Sequence, residues 1–414
     1  MASESTQPRY LARFRCIAER CEDTCCSGLK VPVSESQWRR MRDTVAGDPE
    51  ASQRLHACVS LHPGGDASQH AFLRAHADGS CRLLDSERLC SLQRRYGEAM
   101  LPDICATFPR ALSVRGERAE LTGTLACPEI ARQCLLAEDG VEAVPVSPEE
   151  LARVSRPSLA RPPPDDRTDA ARPALLRLLL RREYPLRSRL ALLGRLAAAL
   201  DEAPGPGAAW DAVLQRFEDP ALLDALHQEF SALAFPGGAL VGLFHAALQT
   251  GLVMGRGGRF EALLRGVQTS LPLTSGSPEA LEAAWHTYGE RWRHLEASQG
   301  ERLHQYFHHY AHHLLWRLPL IQAPTLLTHV FRLALRLGLL RLTLMGHADV
   351  AALCAEPTLP PDTRERLDRA AVETFQLVAR NVESASDFTA LVAGLAGSGR
   401  GEDTLGKVLV FAAF

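Results

Sequence analysis

The chain has 414 residues, of which 46% are hydrophobic and 23% charged, and a formal net charge of -3. That length allows a large buried core and about two domains. The near balance of charge gives no electrostatic reason to expect nucleic acid or an anionic membrane as the main partner. Basic residues are almost all arginine, since Lys30 and Lys407 are the only lysines.

The first fifteen residues are polar and lack the apolar core of a secretory signal. Later apolar runs are interrupted by arginine, as at Arg336 and Arg341, and none approaches the roughly 18 apolar residues of a membrane span. A cytoplasmic, reducing location is expected.

Cysteine dominates the next segment. Ten of the eleven cysteines precede residue 135, and eight form two groups. Cys16, Cys21, Cys25 and Cys26 make a C-x4-C-x3-C-C array, and Cys81, Cys90, Cys105 and Cys127 follow at wider spacing. Thiols at this density bind metal or oxidise to disulfides, and a reducing compartment favours metal. Four thiolates suit either tetrahedral zinc or a [4Fe–4S] cluster. The spacing matches neither the paired C-x2-C of zinc ribbons nor the C-x2-C-x2-C of bacterial ferredoxins. Eight cysteines therefore supply two four-thiolate sites, or one site plus structural thiols. Side chains of adjacent residues in an extended segment point apart, so Cys25 and Cys26 are free to serve different sites. Cys58, Cys134 and Cys354 are expected to be ordinary buried thiols.

The residues around these cysteines have few clean periodic runs, which suits a small irregular domain over 10–140 whose loops are tied to metal. A helix is predicted over 34–46, with Ser34 as N-cap and Trp38, Met41 and Val45 on one face. Residues 56–69 are expected to form an exposed loop, given Pro63, Gly64, Gly65 and Asp66. A Pro- and Arg-rich linker is placed over 141–172, where Pro157, Pro162, Pro163 and Pro164 resist helix and sheet. From 173 to 414 the pattern is helical almost throughout, with candidates at 174–200 (interrupted at Pro185), 210–217, 221–233, 239–254, 278–296, 301–317, 323–345, 361–381 and 387–395. The fold class is thus mainly α, a small cysteine-rich metal-binding N-terminal domain with irregular loops followed by an all-α helical domain.

His304, His308 and His312 recur at helical spacing, with His309 and His313 beside them. Without a carboxylate or thiol at fixed spacing they read as a solvated or partner-facing stripe rather than as metal ligands. Gly255, Gly257 and Gly258 follow a helical pattern rather than a strand, so they read as a turn, and no Rossmann fingerprint is present.

The cysteine phrases carry a family resemblance. Phe14-Arg15-Cys16, then Cys21-Glu22-Asp23-Thr24-Cys25-Cys26-Ser27-Gly28, resembles the start of the flagellin lysine-N-methylase family. Cys81-Arg82-Leu83-Leu84, Cys90, Gly97, Leu101-Pro102-Asp103-Ile104-Cys105, Phe108-Pro109-Arg110 and Leu125-Ala126-Cys127-Pro128-Glu129 fit the same family in order, over roughly 10–136. The signature is also similar to that of a broader zinc- or iron-chelating family. The resemblance implies a bacterial protein-lysine methyltransferase that uses S-adenosylmethionine, carries an iron–sulfur cluster and acts on flagellin. A non-catalytic zinc- or iron–sulfur-binding interaction module, or a redox protein, is the alternative.

Methylation of lysine needs the ammonium, with a pKa near roughly 10.4, to lose a proton first. Asp23, Tyr96, Asp103 and Glu129 are candidate proton acceptors inside the signature, against structural roles such as a turn cap for Asp103 or a pair with Arg110 for Glu129. Arg110 is a candidate to hold the donor's carboxylate by two parallel hydrogen bonds, or else to sit in a buried ion pair. By analogy with cluster enzymes, the donor's amino and carboxylate groups are expected to chelate an open iron.

Overall fold

The computed structural model describes residues 5–115, 118–156, 165–254, 258–273, 275–318, 322–383, 385–397 and 399–414. The chain divides into two compact units. The first comprises Met1–Gln133, Glu142–Arg161 and Met254–Gly258; the second comprises Cys134–Val141, Pro162–Val253 and Arg259–Phe414.

The first unit mixes short helices with two small sheets. One sheet has the order β5-β6-β1-β7, built from β1 (Thr6–Pro8), β5 (Arg110–Arg115), β6 (Arg118–Gly123) and β7 (Ala143–Pro145). Strands β5 and β6 pair antiparallel, β1 runs parallel to β6, and β7 returns antiparallel to β1. Tyr10, fully buried in the short helix α1 (Arg9–Ala12), shares a 3.1 Å hydrogen bond with the Thr122 hydroxyl and accepts one from the Gly123 N–H. The other sheet is an antiparallel trio of β2 (Pro32–Val33), β4 (Ala71–Leu73) and β3 (Val59–Leu61).

The expected helix is present as α2 (Glu35–Val45). Ser34 accepts from the Gln37 N–H while the Gln37 side chain accepts from the Ser34 N–H, a reciprocal capping box. Trp38, Met41 and Val45 are buried together with Leu55 and Cys58 of α3 (Pro49–Cys58). Residues 56–69 are only partly the exposed loop expected. His56 to Cys58 close α3 and Val59 to Leu61 pair with β4, because the segment finds a strand partner that local sequence cannot reveal.

Helices α4 (Ser91–Tyr96), α5 (Asp103–Thr107), α6 (Pro128–Leu136) and α7 (Pro148–Val154) complete this part of the chain. Within 141–172, in place of the expected linker, the chain forms β7, α7 and the start of α8 (Asp166–Leu179). Asp165 caps α8 by accepting from the Arg167 N–H, and Pro173 lies inside the helix. Pro157, Pro162, Pro163 and Pro164 lie outside the described residues.

Beyond α8 the second unit is helical. It contains α9 (Leu186–Glu202), α10 (Ala208–Arg216), α11 (Pro220–Ser231), α12 (Gly237–Gln249), α13 (Gly258–Ser270), α14 (Pro278–Trp316), α15 (Leu326–Met345), α16 (Ala348–Ala355), α17 (Thr363–Asn381), α18 (Ser386–Ala396) and α19 (Gly401–Ala413). Pro185 separates α8 from α9 as its position predicts. The helices at 258–270, 348–355 and 401–413 go beyond those expected from the sequence pattern. Gly255 and Gly257, expected in a turn, lie outside the described residues, and Gly258 begins α13.

At the centre lies α15, which packs against α9, α12, α14, α17 and α19 and has nearly every residue buried. Two of its first N–H groups, Leu326 and Leu327, donate to the Asp201 carboxylate at 3.1 and 2.8 Å. The predicted helices at 278–296 and 301–317 are both present as the two segments of α14, which meet at a kink at Gln299, whose φ of -123° and ψ of 18° leave the helical range next to Gly300. Among the described residues no single helix is long and apolar enough to cross a membrane.

Candidate functional site

The cysteines of the first unit are placed by turns rather than by long elements. Cys21 closes a single 3-10 turn, its N–H donating to Ala18. The Cys26 N–H donates to the Thr24 hydroxyl. Gly28 and Gly79 both take positive φ and meet through a Gly28 N–H to Gly79 carbonyl bond of 2.9 Å. That contact brings Cys81 to Cys26, the Cys81 N–H donating to the Cys26 carbonyl at 2.8 Å. Asp78 shapes the approach by accepting from both the N–H and the hydroxyl of Ser80. Asp85 does the same for the next turn, accepting from the Glu87 and Leu89 N–H groups so that Cys90 bridges to Leu84.

None of the eleven cysteines forms a disulfide. The eight signature thiols sort into two neighbourhoods. Burial pushes the Cys105 thiol up, and the nearby Cys26, Cys90 and Cys81 push it further. Burial likewise raises Cys127 to about 12, with Cys21 and Cys16 adding to the effect while the Ile130 and Glu129 N–H groups oppose it. Cys81 is raised to about 11, again by burial first and then by Cys26 and Cys90. Cys25 stands between the groups. It is raised by its hydrogen bond with Cys26 and by burial, and it senses Cys105 and Cys16 as well. One neighbourhood is thus Cys26, Cys81, Cys90 and Cys105, the other is Cys16, Cys21 and Cys127, and Cys25, bonded to Cys26, lies between them.

As a donor set these groups fit a thiophilic metal, because crowded thiols held protonated by burial become good ligands once a cation replaces their protons. The thiols are neighbours rather than a closed coordination sphere. Among the described residues no three His, Cys, Asp or Glu side chains converge closely enough to constitute a cation site. Cys58 and Cys134 are buried, as expected, whereas Cys354 is only half-buried.

The candidate proton acceptors are scattered through the same unit. Asp103 opens α5 two residues before Cys105 and is buried. Tyr96 ends α4, where the Arg95 guanidinium lies 5.4 Å from its ring centre. Glu129 pairs with Arg132 and accepts from Gln133; the pairing with Arg110 considered for it does not occur. Arg110 instead meets Glu150 at 3.4 Å, both side chains largely buried, and lies over the Phe14 ring.

The second unit holds a cleft of about 920 Å³ that the sequence did not signal. Its floor is aromatic. Trp285, Tyr288 and Trp292 recur along α14 at i, i+3 and i+7, so they share one face. Trp285 stacks on Tyr288 at 5.2 Å and 19°, and Phe414 stacks on Tyr288 at 4.7 Å and 29°. The Tyr288 hydroxyl donates to the Phe414 carbonyl. Arg341 of α15 lies over the rings of Trp292 and Phe307 at 5.6 and 5.5 Å.

The histidine stripe is not solvated. His308, His309, His312 and His313 are at most 8% exposed, because the second half of α14 is enclosed by other helices of the unit, α8 and α15 among them. His304 alone of the five is exposed, paired with Glu296. Burial, then Arg189 and Arg182, holds His308 down to about 2, and burial with His309 holds His312 to about 4. His309 shares a hydrogen bond with the Cys134 carbonyl at 2.8 Å.

Residues 172–411, more than half of the chain, match the model of the FliB lysine N-methylase C-terminal domain. The chain belongs to the FliB lysine N-methylase family. This FliB-family chain is 26% identical over 136 residues to the lysine-N-methylase of Salmonella typhimurium (strain LT2), covering 33% of each chain. A second lysine-N-methylase, from Salmonella choleraesuis, matches to the same extent. The flagellar biosynthetic protein FliU of Salmonella muenchen is 26% identical over 136 residues, covering 33% of this chain and 79% of its own. The match thus spans about a third of the length of the two curated lysine-N-methylases. No solved structure matches the chain.

Proposed function

We propose that the chain is a protein-lysine N-methyltransferase that takes a methyl group from S-adenosylmethionine and places it on lysine side chains of flagellin. The observation that carries this reading is the family match over the helical region, 172–411, joined to the ordered cysteine groups of the first unit. In the reaction the neutral lysine amine attacks the methyl carbon, the carbon–sulfur bond breaks with its electron pair going to sulfur, and the amine sheds a proton. A carboxylate or phenol must take the proton of the starting ammonium. Asp103, buried beside Cys105 in sequence, and Tyr96 are the proposed acceptors. Glu129 is held between Arg132 and Gln133, which suits it to orienting Arg132.

The two cysteine groups are proposed to hold metal, as [4Fe–4S] or as zinc. A bound cluster would supply a Lewis-acidic, redox-active centre, and its ligation would fix the loops that otherwise rest on Asx turns and isolated bridges.

Full-length protein purified without oxygen and incubated with flagellin and methyl-labelled S-adenosylmethionine is expected to label lysine-bearing peptides, read by mass spectrometry. Absence of label on lysine, with metal retained, would falsify the enzyme reading.

A further inference from the structure

The cleft of the second unit combines two features that meet in few ligands. Its floor is a stack of flat rings, Trp285, Tyr288 and Phe414. Its depths carry positive or hydrogen-bond-donating nitrogen that the protein leaves unanswered. Arg189, Arg341 and His308 all line the cleft and are each at least nine-tenths buried. The Nε atoms of both arginines and Nε2 of His308 have no hydrogen-bond partner. Arg189 spends one nitrogen on the Leu179 carbonyl and the imidazole of His308, neither of which carries negative charge. No carboxylate forms an ion pair with Arg189 or Arg341 among the described residues. Glu183 acts on Arg189 and Glu296 on Arg341 only at a distance, so two desolvated guanidinium groups keep unpaired Nε donors, and a ligand anion that enters the cleft can satisfy them.

This pattern decides between the two small partners of a methyl transfer. A lysine ammonium would meet the aromatic face over which Arg341 already lies, and would add a third cation to a buried pair. An amino-acid carboxylate attached to a planar base fits both halves of the site: the carboxylate takes paired N–H donors, and the base takes the rings. The exposed lining is of mixed charge, with Glu138, Glu183, Glu296 and Glu301 beside Arg182, Arg187 and Arg293, and its carboxylates can face an ammonium or sulfonium. A volume near 920 Å³ is at the upper end for small-ligand pockets, ample for such a molecule.

We propose that this cleft is the binding site for S-adenosylmethionine, with the carboxylate held by Arg189 and Arg341 and the adenine laid against the Trp285–Tyr288–Phe414 stack. The assignment rests on the methyltransferase reading for the identity of the ligand; it puts the donor in the helical unit rather than on the cysteine groups, and it displaces Asp103 and Tyr96, which do not line the cleft, as proton acceptors. His308 is a positioning residue, its Nδ1 facing Arg189 at 3.2 Å.

The test uses the full chain and S-adenosylhomocysteine, the demethylated donor, with binding read by titration calorimetry and by quenching of tryptophan fluorescence. The wild type is expected to bind S-adenosylhomocysteine at least tenfold more tightly than adenosine, which lacks the carboxylate. Arg341→Met is expected to weaken S-adenosylhomocysteine at least tenfold and adenosine little. Trp285→Ala, at a half-buried position and with an unfolding midpoint compared with wild type, is expected to weaken both. Cys105→Ser is expected to leave both affinities within twofold. Unchanged affinity in Arg341→Met and Trp285→Ala, in a protein that still methylates flagellin, overturns the site and leaves the methyltransferase reading standing. Binding that follows the cleft variants in a protein unable to methylate flagellin upholds the site and removes the enzyme reading. Loss of S-adenosylhomocysteine binding in Cys105→Ser alone overturns the placement in the helical unit.

Discussion

Arg302 and Asp368 face each other fork to fork, Nε to Oδ1 at 2.7 Å and Nη2 to Oδ2 at 2.9 Å, tying α14 to α17. The same guanidinium donates to the Leu136 carbonyl at 2.8 Å, and the Tyr306 hydroxyl donates to Asp368. A planar fork that also satisfies a backbone carbonyl makes one side chain hold three segments of the second unit in register.

Removing the carboxylate strands a buried charge. Asp368→Ala is expected to cost about 3–5 kcal/mol, the range for breaking a buried pair from one side. The measurement is the urea midpoint, with Glu365→Ala in the exposed pair with Arg369 as a comparison expected to cost under about 1 kcal/mol. Equal losses in the two variants would show that Arg302 is solvated in the folded state.

Packing at Gly338 is tight enough for one methyl group to register. A Cβ there would lie 2.2 Å from the Phe244 ring, so Gly338→Ala is expected to destabilise by about 1–3 kcal/mol as α12 and α15 are forced apart. Gly406 of α19 has nothing within 4 Å of its added Cβ. Gly406→Ala is expected to stabilise by about 0.5–1 kcal/mol through helix propensity alone. Opposite signs in the two unfolding midpoints check the pair, and a neutral Gly338→Ala would refute the close approach.

Stability should fall with acid in a defined window. His308 is held near pKa 2, and His312 and His329 near 4, by burial and by neighbouring arginine or histidine. The unfolded chain takes up these protons near pH 6.5, whereas the folded chain does not. Stability is therefore full above about pH 6.5 and declines as the pH drops toward 4, by about 1.4 kcal/mol per pH unit for each such histidine. Urea midpoints between pH 7.5 and 5 report the slope; a flat profile would mean that the imidazoles are charged in the folded protein.

The two thiol neighbourhoods predict separable losses. If each neighbourhood holds metal as proposed, Cys105→Ser should remove that of the Cys26, Cys81, Cys90 and Cys105 set, and Cys127→Ser that of the other, each lowering bound metal by roughly half. Metal per chain after anaerobic purification measures this. Complete loss in either single variant would point to one joint site.

How much of this was legible in the sequence depended on whether the deciding partner lay nearby along the chain. Ser34 announces α2 because its capping partner, Gln37, is three residues away. The eight cysteines mark the first unit by count and order, and the approach of Cys81 to Cys26 needs the Gly28–Gly79 contact, which spans about fifty residues. The histidines misled because periodicity marks a face of a helix without saying what covers it, and α14 is covered on that face by other helices. The cleft was hidden for the same reason. Arg189, Trp285, Arg341 and Phe414 come from four separate elements or termini, and no local pattern links them.

The break at Gln299 changes what one helix can offer. Trp285, Tyr288 and Trp292 precede it, while His308 and His309 follow it, and all five line the same hollow. A straight rod shows a concavity a single strip of its surface; a rod bent within its length lends two walls. The non-helical backbone at Gln299 thus lets two successive helical segments act as base and side of one container, with the corner set by Gln299 and Gly300.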